Sequence, residues 1–317
     1  MIELLQILFL YIIFSITIFV PINVLSEHKK LKKFKSLDLA SFNLAININL
    51  LLLISLLNVS LLDIQKYIII FYSLLIIFLY TKNFKKILIE NLKYYPILIV
   101  FFIISISVTN NLKLGWDAKF FYYIKSLYFF EGQTLENLKE FDSHHYHPHL
   151  GSYLWAFFRN LSFIDHEYFG RLFYVFIFSF SVFYIIPNKK TEILPIAYLL
   201  IILSIFFNYN FFSGLQEIII FSFLMIISRY FYNLSTIKNV NLFVFIVLYL
   251  NLIFWIKTDG LVYILIFMLM INFKSIIPMR DKIIFSLTIF LLIILKTLFY
   301  NFYGLNLNAQ PVYNLDY

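Results

Sequence analysis

The sequence predicts an all-α fold: a polytopic membrane bundle of about ten transmembrane helices, with interfacial helices in a large extracytoplasmic loop. Three observations lead there. Hydrophobic residues make up 62% of the 317 and charged residues only 13%, with a mean hydropathy of +0.86, whereas a soluble domain carries roughly 45–50% apolar and 25% charged residues. The apolar runs are long enough to cross hydrocarbon as helices, which takes about 17 to 25 residues. Gly and Pro number only seven each, and no run shows the period-two alternation over about ten residues that an outer-membrane strand requires.

Taken in order, the expected spans lie near 2–25, 39–60, 64–81, 96–113, 168–187, 192–208, 213–233, 240–256, 260–273 and 283–302. The first has no basic region before it and no small-residue cleavage site, so it reads as a retained helix and not as a signal peptide. The division expected is an N-terminal three-span segment, 1–95, and a catalytic membrane region, 96–317, that includes the extracytoplasmic loop 114–167. Asn43, Asn47 and Asn49 put amides on the second span, where hydrogen bonds between helices are their ordinary use. There is no cysteine, which excludes disulfides and thiolate metal sites.

Charge decides topology. The segment 147–164 is apolar but short and carries Arg159, and it is expected to lie along the outer surface without crossing. Five loops then share one side: 26–38, 81–95, 188–191, 229–239 and 273–282, which together hold 16 of the 25 Lys and Arg. A basic excess of this kind marks the cytoplasmic side. Runs such as HKKLKKFK alternate Lys with Leu and Phe beside the bilayer, where each lysine is worth about 1 kcal/mol toward anionic headgroups. That placement argues against nucleic acid as a partner despite the net charge of +8, since no separate basic domain exists.

The opposite face holds the one long run too polar for lipid, Gly115 to Gly151. Asp117 stands just after the fourth span beside Trp116, an interfacial aromatic. Behind it Phe120, Phe121, Ile124, Leu127 and Tyr128 share a helical face suited to lying on the membrane. A carboxylate there can take a proton from an acceptor hydroxyl, a role worth about 10² to 10⁴-fold in rate. The cluster HHYHPHLG contains His147 and His149 in a loop broken by Pro148, poor spacing for a metal but compatible with binding phosphate or acceptor. Arg171, one turn into the fifth span, needs a partner: Asp117, Glu217 or a phosphate. Glu217 opens the seventh span, Asp259 follows Lys257 in WIKTDGL, and Lys296 stands deep in the last span, where an ammonium needs an anion or must reach outward.

In order, GWDA at Asp117, HPHLG at His147 to Gly151, GRLFYVFIFSF from Gly170, SGLQE at Ser213 to Glu217 and IKTDGL at Ile256 to Leu261 resemble the GT-C superfamily of integral membrane glycosyltransferases. The branch they are most similar to is that of the protein O-mannosyltransferases and lipid A aminoarabinose transferases. The resemblance covers roughly residues 96–273. It implies inverting transfer of a sugar from a polyprenyl-phosphate donor to a glycan, lipid or protein acceptor at the outer face of a bacterial cytoplasmic membrane. Asp117 would be the base, and Arg171, Lys257 and Lys296 would hold the donor phosphate. The family's acidic motif commonly has a second acid, and its histidine element reads HPPLG. Here Ala118 and Lys119 follow Asp117, which speaks against a divalent metal, so no cofactor is expected.

Two other readings rest on different features. An O-antigen ligase or polymerase also handles lipid-linked glycans through a large outer loop, and would depend on its Arg and His and not on Asp117. A transporter or flippase would show paired broken helices with midplane charges and internal symmetry, neither of which the sequence displays.

Overall fold

The computed structural model describes residues 2–27, 36–71, 73–74, 77, 95–110, 112–141, 144–162, 164–185, 212–236, 241–275 and 277–305, and among them it is helical with no strand. Helices α1 (Ile2–Glu27), α2 (Ser36–Leu56) and α3 (Tyr95–Asn110) come first. A π-helical turn, Ala118–Tyr123, runs directly into α4 (Ile124–Phe130). The single turn α5 (Leu138–Phe141) and the helix α6 (Leu150–Asn160) complete the loop region. The rest of the bundle is α7 (Tyr168–Ile185), α8 (Glu217–Thr236), α9 (Asn241–Ile256), α10 (Gly260–Phe273) and α11 (Met279–Phe302).

By length and composition, Leu37–Leu56, Tyr168–Ile185 and Met279–Phe302 can cross a bilayer, and Ile2–Phe14, Pro96–Asn110, Phe243–Ile256 and Gly260–Phe273 are shorter apolar helices. The described residues thus carry a helical membrane bundle with three helices of spanning length. The expected span 192–208 lies outside the described residues, and 64–81 does so in part.

Helix α7 is the axis. It is apolar all round, the pattern of a helix enclosed by others, and it packs against α1, α3, α6 and α8. Around it Phe14, Phe158, Phe173 and Phe176 interlock, with Phe14 and Phe176 centroids 4.8 Å apart and Phe158 stacked on Phe173 at 3.8 Å. Such ring pairs each add about 0.5–1.5 kcal/mol to the area they bury. By contrast α10 and α11 pack on one side only, and leave Leu265, Leu269, Leu287, Phe290 and Leu298 exposed, as helices at the lipid boundary do.

Two expectations change. The segment 147–164 does not lie on the outer surface: Leu150 to Arg159 are all buried, enclosed by α2, α4, α7 and α9. At about 1.5 Å per residue its 11 residues reach about half the hydrocarbon thickness, so it does not cross either. Burial is possible because Arg159, the residue that argued for the surface, pairs with Asp165 at 2.6 Å and lies 4.1 Å over the Phe130 ring. Trp155 is fully buried and fills space that side chains at Gly170 or Gly214 would occupy; Gly214 also has φ +90, a conformation few other residues adopt.

The interfacial face also shifts. Phe120 and Ile124 are exposed, Phe121 and Leu127 are half-buried, and Tyr128 is buried, with its hydroxyl on the Asn137 carbonyl at 2.9 Å. A π-helical turn advances by i→i+5 and not i→i+4, so it rotates the residues of α4 away from the face a 3.6-residue period assigns them.

Candidate functional site

The site is built where two short non-helical connections meet. The stretch 112–115 leaves α3, the stretch 212–216 enters α8, and the Gly115 N–H donates to the Ser213 carbonyl at 2.8 Å. Arg171, fully buried on α7, fastens both. Its guanidinium forks onto Glu167 through two bonds of 2.8 Å and donates to the carbonyls of Phe212 at 3.0 Å and Leu112 at 3.4 Å. The partner expected among Asp117, Glu217 or a phosphate is therefore Glu167, four residues upstream. Burial raises the Glu167 carboxyl above the usual carboxylate range, and Arg171 pulls against that rise.

Held on this frame, the first connection delivers Asp117, exposed at the start of the π-helical turn, and the second delivers Glu217, exposed at the start of α8. Lys257 and Asp259 come from the turn between α9 and α10. The Lys257 ammonium binds Glu217 and lies 3.5 Å from Asp259. Burial pulls the Lys257 ammonium down, but its hydrogen bond to Glu217 and the charges of Glu217 and Asp259 outweigh that and hold it above the ordinary lysine value. At neutral pH this is a cation with exchangeable partners.

Behind these four stands Tyr122, which sequence reasoning missed. It is buried; desolvation pushes its phenol up to about 12, and Lys257, Glu217, Asp117 and Asp259 all act on it electrostatically. Below the charged turn a groove of about 520 Å³ runs down between α8 and α10. Ile218, Ile220, Phe221, Leu224 and Tyr263 line its apolar length, and Glu217, Lys257 and Asp259 stand at its head.

His149 and Lys296 belong to a separate cluster. His149 is fully buried between Ser55, at 2.8 Å, and Tyr300, at 3.4 Å. Because the Ser55 hydroxyl already donates to the Leu52 carbonyl at 2.6 Å, the His149 Nε2 donates to Ser55 and its Nδ1 accepts from Tyr300. Burial, with Lys125 and Lys296 nearby, pushes the imidazole down to about 3, so it is neutral. The Lys296 ammonium donates to the Phe254 carbonyl at 2.6 Å and lies 3.9 Å over the Phe254 ring; among the described residues it has no acidic partner. His147 packs its ring on Tyr146 and Phe121, and its carbonyl accepts from the buried Lys125 at 2.9 Å.

Asp117, Glu217, Lys257 and Asp259 are thus brought together, whereas Arg171 braces them from behind and His149 with Lys296 sit apart. Among the described residues no group of three or more His, Asp or Glu could hold a metal ion. Comparison with protein-family models, with curated proteins and with solved structures finds no match for this chain.

Proposed function

We propose that the chain is an integral membrane glycosyltransferase that moves a sugar from a polyprenyl-phosphate donor to a cell-envelope acceptor at the extracytoplasmic face of a bacterial cytoplasmic membrane. The observation that carries this reading is the groove between α8 and α10, apolar along its length and charged at its head, where Gly115, two residues before Asp117, is hydrogen-bonded to Ser213 and lies against Leu215 of the lining. A prenyl tail fits the apolar part, and its phosphate then meets Lys257. Orientation is supported by Arg229, Lys274, Arg280 and Lys282, which sit at the opposite end of the described bundle, the end expected to be cytoplasmic. In this reading the chain completes about ten crossings.

The chemistry is an inverting displacement. The acceptor oxygen attacks the anomeric carbon, the bond from that carbon to the phosphate oxygen breaks, and polyprenyl phosphate leaves. Asp117, exposed beside the groove's head, takes the acceptor's proton, while Lys257 exchanges Glu217 for the leaving phosphate. Membranes supplied with a labelled polyprenyl-phosphate sugar test this directly. Asp117→Asn should reduce transfer by about 10² to 10⁴-fold; undiminished transfer removes Asp117 from the mechanism. No transfer by the unaltered protein with any such donor would move the reading to a transporter or flippase.

A further inference from the structure

The groove between α8 and α10 has a floor. On α8 its lining runs from Glu217 to Leu224, about 10 Å of helix at about 1.5 Å per residue. About two turns further down α8, the Phe231 ring meets that of Phe267 on α10 edge to face, with centroids 5.9 Å apart, and Phe267 is buried. Lys274 fixes this contact from beyond: its ammonium lies 3.8 Å over the Phe231 ring and donates to the Phe231 carbonyl at 3.1 Å. The space between the helices is thus a wedge, open at the end that carries Glu217, Lys257 and Asp259 and shut at the other. Phe221, in its wall, is 42% exposed, so the wedge also opens sideways toward lipid.

A wedge of this depth limits how much of a lipid tail it can hold. An extended carbon chain advances about 3.8 Å in three bonds, so the depth takes about eight bonds, or about two isoprene units. Hydrocarbon outside the protein is as apolar as the groove. Tail left in the bilayer therefore loses nothing, and only the packed units add to binding through their contacts. We propose that the site reads its polyprenyl-phosphate ligand no further than the phosphate and the first and second isoprene units, and that the rest of the tail leaves past Phe221 into the bilayer. Ile218 and Ile220 flank the first unit, and Phe221 and Leu224 the second. The inference rests on the glycosyl-transfer reading and adds to it a substrate class: prenyl phosphates from geranyl upward, whatever their full length.

The full chain in lipid nanodiscs tests this, with a long-chain polyprenyl phosphate that carries a photoreactive diazirine on either its second or its fourth isoprene unit. After illumination, peptide mass spectrometry should find the second-unit label between Ile218 and Leu224 or on Tyr263, and unlabelled polyprenyl phosphate should displace it. The fourth-unit probe should label lipid and leave α8 and α10 unmarked. Geranyl, farnesyl and long-chain polyprenyl phosphates, compared at equal mole fraction in the bilayer, should bind alike. Leu224→Trp, which fills the foot of the wedge, should weaken all three by roughly 10-fold, the loss of one unit's packing contacts. The probes need no variant, so they decide even if Leu224→Trp folds poorly. Displaceable labelling of α8 or α10 by the fourth-unit probe, a second-unit label confined to lipid, or affinity that climbs from geranyl to long-chain phosphate would each overturn the proposal and leave the glycosyl-transfer reading in place. If the unaltered protein binds no polyprenyl phosphate and transfers no sugar, that reading fails and this inference falls with it.

Discussion

The two ends of the bundle treat their polar residues in opposite ways. Where α2 begins and α7 stops, Asp38 accepts from the Tyr184 hydroxyl at 2.7 Å and has Arg229 at 4.0 Å, while the Tyr230 hydroxyl reaches the Asp38 carbonyl at 3.4 Å. Close by, the Tyr249 hydroxyl donates to the Ser41 carbonyl at 2.7 Å. Every one of these groups is matched within the protein, as polar groups inside a membrane bundle must be. At the other end Glu217 and Asp259 flank one ammonium, Lys257, and Asp117 stands exposed at the start of the π-helical turn. The closed cluster ties helices together; the open one has capacity left for a ligand. Arg171 and Glu167 show the closed arrangement in direct contact with the open site.

This contrast can be broken at three strengths. The largest effect is expected from Arg171→Met, which strands a half-buried carboxyl and unfastens the Leu112 and Phe212 carbonyls; a loss of about 3 kcal/mol, the low end of the range for breaking a buried pair, should appear as a collapse of folded yield in detergent. Normal folding with selective loss of donor binding would instead make Arg171 a ligand residue. Next comes pH. His149 is neutral in the fold, with its pKa lowered from 6.5 to about 3, so the unfolded chain takes up the extra proton as pH drops. Stability contributed by His149 is therefore present above about pH 6.5 and is lost progressively toward pH 3, about 2 kcal/mol by pH 5. Thermal unfolding between pH 7 and 5 should slope less in His149→Gln; equal slopes would remove His149 as the cause. Smallest is Lys257→Met. Its pair with the exposed Glu217 is worth at most about 1 kcal/mol to stability, so the melting temperature should barely move while the donor KM rises. A large drop in stability would mean that the open cluster is in truth a structural one.

The parts of this arrangement that the sequence revealed share one property: each is a charge at the edge of an apolar run. Asp117, Glu217, Lys257 and Asp259 all interrupt hydropathy where a helix starts or ends, and turns at one end of a bundle come together in space. What it concealed depends on packing. Glu167 stands at i−4 from Arg171, a helical pairing distance, but the predicted span begins after it, so the partners expected for Arg171 lay on other elements. The burial of α6 was signalled only by glycines set far apart, Gly170 and Gly214, which both make room for Trp155. Tyr122 is one of 24 tyrosines, and it is buried on a π-helical turn that residue periodicity does not encode. The amides of the second span were read correctly in kind: Asn251 donates to Asn49 at 2.8 Å, from α9 to α2.

The enclosure of α6 bears on how such a protein is made. A segment too short to span, yet walled by α2, α7 and α9, cannot take its place as it leaves the ribosome, because α7 and α9 come later in the chain. It must wait at the bilayer surface until those later helices arrive, and only then slide between them. Closure of the bundle around α6 is thereby delayed until the second half of the polypeptide has been inserted.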